Sequence, residues 1–331
     1  MSTPDFSTRE IANPSDRAKH FKTILTNFPA IDIPIGINML DIDNQFNPRI
    51  RAYIDNVSPV DNNYDRFIGR INLDAWSDTR LYAAGCTWLD ASRHSLDVQF
   101  GRFSGSEMKA MRAIMTQSID IQFTRPYQVP PKVIIWLTAL DSDCRNNTRF
   151  HPTAENVTSN GFTLQIETWW DTIIHDPTTV SWIAVPSDNS TITAGRLVTG
   201  GIKASLGVQE KIVFDKPFKR IPRVMVAFNK LDISSSANIR LAAYPKDITT
   251  QGMELVINAW ADTTIYSCGV GWIAIDDAPA SSKSVFNSVG QEMADDDTWE
   301  FAVLSRELKA MHRCEAAKGA PEAVFEDEKR M

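Results

Sequence analysis

The sequence of 331 residues lacks the features that mark several large classes of protein. Its four cysteines are scattered singly with no Cys-x-x-Cys pair, which argues against a zinc site and against a disulfide framework. Glycine and proline, at 15 and 17 residues, are too few for a collagen-like or low-complexity chain. The longest notable apolar run, at 133–137, is far shorter than the roughly 20 residues of a membrane-spanning helix, so no membrane insertion is expected.

Charge and motifs exclude further functions. The formal net charge of −7 argues against a nucleic-acid partner, which needs phosphate-neutralising basic residues. There is no Gly-x-Ser-x-Gly, no His-Glu-x-x-His and no phosphate-binding loop, and the five histidines show no metal-ligand spacing. We therefore expect a protein that is not an enzyme and needs no cofactor. Residues 1–10 carry neither a basic nor an apolar segment of a secretory signal, so the expected location is the cytoplasm, or outside the cell by a non-classical route.

What the sequence does contain is a pattern of four markers that recurs three times in the same order. Each copy has a Leu-Asp pair, an Asn two residues before an Arg, a Trp-x-Asp-Thr segment, and a second Trp 12 or 13 residues after the first. The Arg residues are Arg49, Arg149 and Arg240, the first Trp residues are Trp76, Trp169 and Trp260, and the second are Trp88, Trp182 and Trp272. The spacing predicts small domains at 1–90, 96–186 and 193–277, followed by a tail at 278–331.

The third copy predicts the fold most clearly. Short apolar or alternating runs at 211–215, 224–228, 239–244, 253–260 and 268–275 are separated by turn-forming residues. Strand-like segments with Gly-Arg at 97–103 and 192–198 are predicted to be the first strands of the second and third copies. A segment near Phe6 or one at 284–289 could supply the same strand to the first copy. We therefore predict an all-β protein of three tandem six-stranded antiparallel β-sandwich domains.

The tail differs in kind from the repeats. Phe301, Leu304, Leu308 and Met311 form a helical apolar stripe that follows a capping pattern. The tail is predicted to form a helix, which either docks on the sandwiches or binds a partner or a second copy of the chain.

Each repeat offers the same candidate site: one Arg, one Trp, and a second ring six residues after that Trp, which is Tyr82, His175 or Tyr266. A flat indole at the end of a strand can bury the C–H face of a sugar, and a neighbouring guanidinium can donate hydrogen bonds to sugar hydroxyls. The structural alternative is that these Trp rings only pack against their neighbours. In that case the Asp and Thr of Trp-x-Asp-Thr make a turn, and Asn-x-Arg is a structural contact between strands. The second Trp of each copy lies inside an apolar strand and is predicted to be core.

These residues resemble the H-type lectin family, which includes snail-type agglutinins and the C-terminal domain of discoidins. The resemblance rests on Asn-x-Arg, on Gly161-Phe162 before Trp169, and on Trp-Ile-Ala at 182–184 and 272–274. It covers 96–186 and 193–277 well and 20–90 less closely. The resemblance implies six-stranded antiparallel sandwiches that bind galactose or N-acetylgalactosamine without a metal, usually as trimers.

By this resemblance, the sugar-contacting residues of the family fall on a defined set of positions. They are Arg49, Trp76, Tyr82, Arg149, Trp169, Trp170, His175, Arg240, Trp260 and Tyr266. The family also uses an acidic residue from the loop after its first strand, for which Glu107 is the candidate. Since the family forms trimers, a chain with three copies is expected to be either an intrachain pseudo-trimer, with sites between neighbouring repeats, or a homo-oligomer.

The sequence therefore predicts a multivalent lectin whose partners are glycans. A β-sandwich scaffold for interaction or assembly, without sugar binding, is the main alternative. A binding array fused to an activity in the tail is a third.

Overall fold

The computed structural model describes residues 5–8, 19–26, 33–60, 67–89, 97–103, 111–112, 115–175, 179–203 and 207–276. These residues form β-strands and turns, so the prediction of an all-β protein is confirmed for the described part. None of them lies in a helix long and apolar enough to cross a membrane. The predicted helix of the tail and the alternative strand at 284–289 fall outside the described residues.

Each repeat follows one plan of six strand positions. The strands of the first repeat are β1 (Asp5–Ser7), β2 (Lys19–Thr26), β3 (Ile35–Ile42), β4 (Arg49–Pro59), β5 (Phe67–Asp74) and β6 (Leu81–Trp88). Those of the second are β7 (Gln99–Phe103), β8 (Met111–Arg112), β9 (Met115–Gln122), β10 (Lys132–Leu137), β11 (Ala139–Asp141), β12 (Thr148–Glu155), β13 (Gly161–Thr168), β14 (Ile173–Ile174) and β15 (Val180–Val185). Those of the third are β16 (Ile192–Lys203), β17 (Val208–Val213), β18 (Arg223–Ile233), β19 (Ile239–Lys246), β20 (Gly252–Ala259) and β21 (Thr264–Ile275). The second repeat has nine strands because three of its positions are each divided in two.

The pairing of the first strand in each repeat confirms the predicted start of the repeats. β1 pairs with β6, so the segment near Phe6 supplies the strand that the first repeat needed. β7 pairs with β15 and β16 with β21 in the same way, which places both Gly-Arg segments in the first strand of their own repeat. The closing Trp88, Trp182 and Trp272 are all buried, as predicted for core residues.

The pairing between repeats overturns one prediction. Within a repeat the first, sixth and third strands form one sheet, and the fourth, fifth and second form another. These sheets do not stop at the repeat, because the third strand of each repeat also pairs with the fourth strand of the preceding one: β11 with β4, β18 with β12, and β3 with β19. The prediction of three separate six-stranded sandwiches is therefore wrong. The sheets are shared between repeats, and the chain closes a propeller-like ring.

Hydrogen bonding explains this arrangement. In an isolated sandwich, the third and fourth strands would lie at sheet edges and leave rows of backbone N–H and C=O groups without partners. Pairing across each boundary satisfies those groups. Because the last pair, β3 with β19, joins the first repeat to the third, every repeat has a neighbour on both sides.

One large and two small residues pack at the centre of the ring. Gly36, Trp136 and Ala227 occupy equivalent positions on the third strands of the three repeats. A Cβ atom added at Gly36 would lie 2.4 Å from the Ala227 Cβ and 2.8 Å from the Trp136 Cβ. Trp136 is fully buried, and its indole N–H donates to the Gly271 carbonyl at 3.0 Å. The three repeats therefore meet in one core.

Candidate functional site

The Trp-x-Asp-Thr segment forms the same tight turn three times. In each, the Thr N–H donates to the Trp carbonyl, at 3.3 or 3.4 Å, and the residue after Trp has a positive φ of 55–59°. The Thr hydroxyl donates to the carbonyl of the Asn in Asn-x-Arg, at 2.6 or 2.7 Å. These turns place each Trp at the end of a strand, beside the Arg of its own repeat. The prediction that the Thr shapes the turn is confirmed, whereas the Asp side chain contacts the Arg of its own repeat.

Each Arg is held between two carboxylates that come from different repeats. The Nη1 atom of Arg149 contacts the Asp171 Oδ1 of its own turn at 2.5 Å, and its Nε lies 3.4 Å from the Asp232 Oδ1 of the next repeat. Arg240 contacts Asp262 at 2.5 Å and Asp41 at 3.7 Å in the same way.

Arg49 completes the set, since it contacts Asp78 of its own turn and Asp141 of the second repeat, the latter at 3.3 Å. We call the three boundaries the first junction (Arg49 with Asp141), the second junction (Arg149 with Asp232) and the third junction (Arg240 with Asp41).

The Asn of Asn-x-Arg joins the same boundaries. Its side-chain oxygen accepts a backbone N–H from the following repeat at 3.0 Å, and the three pairs are Asn47 with Cys144, Asn147 with Ser235, and Asn238 with Asn44. The interpretation of Asn-x-Arg as a structural contact is therefore confirmed for the Asn. The contact runs between repeats, which no single repeat of the sequence could show.

The first Trp of each repeat is half-buried at its junction. The Arg51 guanidinium lies 5.7 Å from the Trp76 ring centroid, and the Lys230 ammonium lies 5.6 Å from that of Trp169. Burial raises the pKa of Asp232, and the Arg149 charge and a hydrogen bond from the Trp169 side chain oppose that rise. Carboxylate, guanidinium and indole thus form one connected group at the second junction. Trp170, in contrast, is 73% exposed at the tip of its turn.

The second ring of each repeat lies beside the chain segment that contains the Leu-Asp pair of the same repeat. Tyr82 follows Leu81 and precedes Ala83, which pair with Ile42 and Asp41. Its hydroxyl donates to Asp43 Oδ2 at 2.9 Å, and this bond is the main cause of a raised Tyr82 pKa.

His175 and Tyr266 occupy equivalent places. The His175 backbone N–H donates to the Asp141 carbonyl, and its Nε2 lies 3.6 Å from Asp143 Oδ2. Tyr266 precedes Ser267, which pairs with Asp232. Each junction thus collects Arg and Trp from one repeat, and Asp and an exposed Tyr or His ring from the next.

Sequence reasoning missed the carboxylates that contact an Arg of the preceding repeat, which we call the crossing carboxylates. Asp41, Asp141 and Asp232 belong to the recurring Leu-Asp pair, so their signal was present, but no role followed from it because their partners lie in another repeat. Glu107, the candidate acidic residue, falls outside the described residues.

The side chains at each junction are of types that can bind a polar ligand. Each offers fixed guanidinium donors, carboxylate acceptors and an apolar indole face, a combination that matches a ligand with hydroxyl groups and C–H faces. In the part of the chain that the structure describes, no group of three or more His, Cys, Asp or Glu residues is placed to hold a metal ion.

Comparison with known proteins finds a family match in two of the repeats. Residues 118–185 and 209–275 match the family model of the H-type lectin domain. One discoidin-1 polypeptide of Dictyostelium discoideum is 32% identical over 79 residues, which are 24% of this chain and 30% of that protein. A second discoidin-1 polypeptide of the same organism is 27% identical over 125 residues, 38% of this chain and 46% of that protein.

A protein of Fuscovulum blasticum described as "ATP synthase subunits region ORF 7" is 34% identical over 64 residues, 19% of this chain and 56% of that protein. The chain thus spans between about a third and just over half of the length of these curated relatives. No solved structure matches the chain.

Proposed function

We propose that this chain is a carbohydrate-binding lectin with three sugar sites, one at each junction of the ring. The H-type lectin domain matched in the second and third repeats and the similarity to the discoidins support this proposal. The observation that carries it is the recurrence of one cluster, an Arg between two Asp carboxylates beside a half-buried Trp, at all three junctions.

We further propose that the first repeat, residues 1–90, is a third and divergent copy of the domain. The family model does not match it, but its strands take the same pairing as those of the other two repeats. Its Arg49, Asn47 and Thr79 also make contacts equivalent to those of their counterparts. With the second copy at 96–186 and the third at 193–277, a single chain then forms an intrachain pseudo-trimer.

The proposed ligand is a galactose or N-acetylgalactosamine residue of a glycan. Because two carboxylates hold each guanidinium, the Arg cannot rotate freely, and its remaining N–H groups present fixed donors to sugar hydroxyls. The crossing Asp accepts hydrogen bonds from hydroxyl groups, and the indole covers the sugar's C–H face. These groups bind without transferring a proton or forming a covalent bond, so the proposed activity is recognition and not catalysis.

Three such sites on one chain favour binding to surfaces that display many glycans. If the sites engage together, avidity adds a factor of about 10² or more over one site.

The alternative function is an assembly scaffold without sugar binding. The observation that favours it is the burial of the three Arg side chains, which are only 12–20% exposed and bridge two repeats. In that case the cluster serves only to hold the ring closed.

Retention on a galactose or N-acetylgalactosamine matrix distinguishes the two functions. The lectin is expected to be retained and to be eluted by the free sugar. Trp169→Ala and Trp260→Ala, each with an intact circular-dichroism spectrum, are expected to weaken retention, whereas Val213→Ala, at an exposed position on β17, is not. A folded wild-type chain that passes through both matrices would favour the scaffold.

A further inference from the structure

The three junctions differ in charge, and we propose that the second junction recognises a sugar that carries an anionic group, with Lys230 as the residue that selects it. The first and third junctions take neutral sugars. This inference rests on the proposed lectin function and assigns a ligand class to one of its sites.

Lys230 reaches the second junction from the repeat opposite Trp169. It lies on β18 directly before the Leu231-Asp232 pair, and its ammonium is 5.6 Å from the Trp169 ring centroid. The equivalent positions are Met39 at the third junction and Ala139 at the first, which carry no charge. A sugar stacked on Trp169 would therefore lie next to a cation that the other two junctions do not have in this position.

Among the described residues, Lys230 takes part in no ion pair within 4.0 Å, and its ammonium lies over the Trp169 ring. Its charge also acts on Asp232, where burial raises the carboxyl pKa and Lys230 lowers it, without a close contact between the two groups. A lysine ammonium on a flexible four-carbon stem can move from the indole face to an anionic substituent of the bound sugar.

The first junction shows the opposite case. There the cation near the indole is Arg51, and its Nη2 lies 3.3 Å from Asp74 Oδ2. The same Asp74 also accepts a hydrogen bond from the Tyr53 hydroxyl at 2.8 Å. Because its own repeat supplies a counter-charge, Arg51 offers little net positive potential to a ligand.

Other charged groups also face the second junction and contribute to the electrostatic potential there. The positions of Asp74 and Arg51 are taken there by Glu167 and His151, which face each other across β12 and β13. The pKa of His151 is lowered to about 4, first by burial and then by the Lys230 charge, with a smaller contribution from Arg196. His151 is therefore neutral at pH 7. Lys230 and Arg196 lower its pKa, Glu167 and Glu155 raise it, and the Lys230 charge also acts on Asp232.

Titration calorimetry on the full chain tests the assignment. The ligands are neutral N-acetylgalactosamine, its 6-sulfate, and a disaccharide with sialic acid joined to N-acetylgalactosamine, so that sulfate and carboxylate are separate arms. In 20 mM salt, one site per chain is expected to bind at least one anionic ligand about three- to tenfold more tightly than the neutral sugar. In 500 mM salt, where screening is strong, this difference is expected to shrink.

Variants assign the effect to Lys230. Lys230→Met is expected to reduce the anionic-to-neutral affinity ratio to about one, Lys230→Arg to retain the preference, and Glu167→Gln to increase it. Lys211→Met, at an exposed lysine on β17, serves as the matched control and is expected to keep the wild-type ratio.

The outcomes separate this inference from the lectin proposal. Equal binding of neutral and anionic sugars by the wild type, or a preference that survives in Lys230→Met, would overturn the inference and leave the lectin function standing. Failure of the wild type to bind any of the three sugars would overturn both.

Discussion

The arginine at each junction joins two repeats and is also the proposed hydrogen-bond donor to the sugar. Arg149 joins the second repeat to the third through Asp171 and Asp232, and the same contacts fix the direction of its remaining donors. A charge that is this deeply buried needs such partners, because an unpaired buried charge is costly. The proposed sugar recognition would therefore depend on a side chain that also holds the repeats together, so substitutions of the Trp test the proposal more cleanly than substitutions of the Arg.

A half-buried histidine gives the molecule a predictable response to acid. The pKa of His151 is lowered to about 4 in the folded chain, from about 6.5 for an ordinary histidine. Between these values the unfolded chain binds a proton that the folded chain does not. Stability from the neutral imidazole is therefore complete above pH 6.5 and is lost as the pH falls towards 4.

We predict that His151→Ala flattens this part of the pH profile, since alanine is the residue that the third repeat carries at this position, as Ala242. Urea unfolding at pH 4–7 measures the effect. The wild type should lose up to about 3 kcal/mol more than the variant between pH 6.5 and 4. Parallel profiles for the two proteins would show that His151 titrates normally.

At the scale of a strand, the Gly-Arg segment makes room for the closing tryptophan. In β16, Gly195 pairs with Trp272 of β21, and an added Cβ would lie 2.5 Å from the Trp272 ring. The same strand offers its own control at Gly200, where an added Cβ would meet no atom within 4 Å.

We predict that Gly195→Ala destabilises the fold by about 1–3 kcal/mol, because a packed indole must shift. Gly200→Ala should change stability by no more than about 0.5 kcal/mol. Chemical denaturation of the two variants measures both. Equal stability of the two variants would mean that the indole moves aside without cost.

The strands are also where sequence and structure agree best. Alternation and turn residues predicted five of the six strands of the third repeat, and the Gly-Arg segment predicted the sixth. Burial of Trp182 and Trp272 followed from their apolar neighbours. Strand partners did not follow, because an alternating pattern shows which face of β4 or β18 is buried but not which strand lies beside it.

At the largest scale, the described residues of the three repeats form a ring in which each repeat pairs with both of its neighbours. Nothing in the sequence indicated that the Asp of each Leu-Asp pair contacts an Arg of another repeat. The Arg partners of Asp141, Asp232 and Asp41 lie 92, 83 and 199 residues away in the sequence. Only closure of the ring brings the pairs together. For the same reason, the resemblance to a family of trimers implied sites between neighbouring repeats, whereas composition and spacing within a single repeat did not.

We predict that the ring unfolds cooperatively and that its centre controls all three repeats. Trp136→Ala removes the large side chain that fills the space beside Gly36 and Ala227, and it should cost about 3–5 kcal/mol. In scanning calorimetry, the transition of the repeats should move to lower temperature as a whole. A profile in which one repeat melts early while the others keep their wild-type transition would instead indicate independent domains.

The number of sugars bound per chain tests the central claim most directly. Native mass spectrometry of the folded chain with N-acetylgalactosamine is expected to show up to three bound sugars, and Trp76→Ala, Trp169→Ala and Trp260→Ala should each remove one. A folded chain that binds no sugar, or a stoichiometry that none of the three substitutions changes, would contradict the assignment of sugar sites to the junctions.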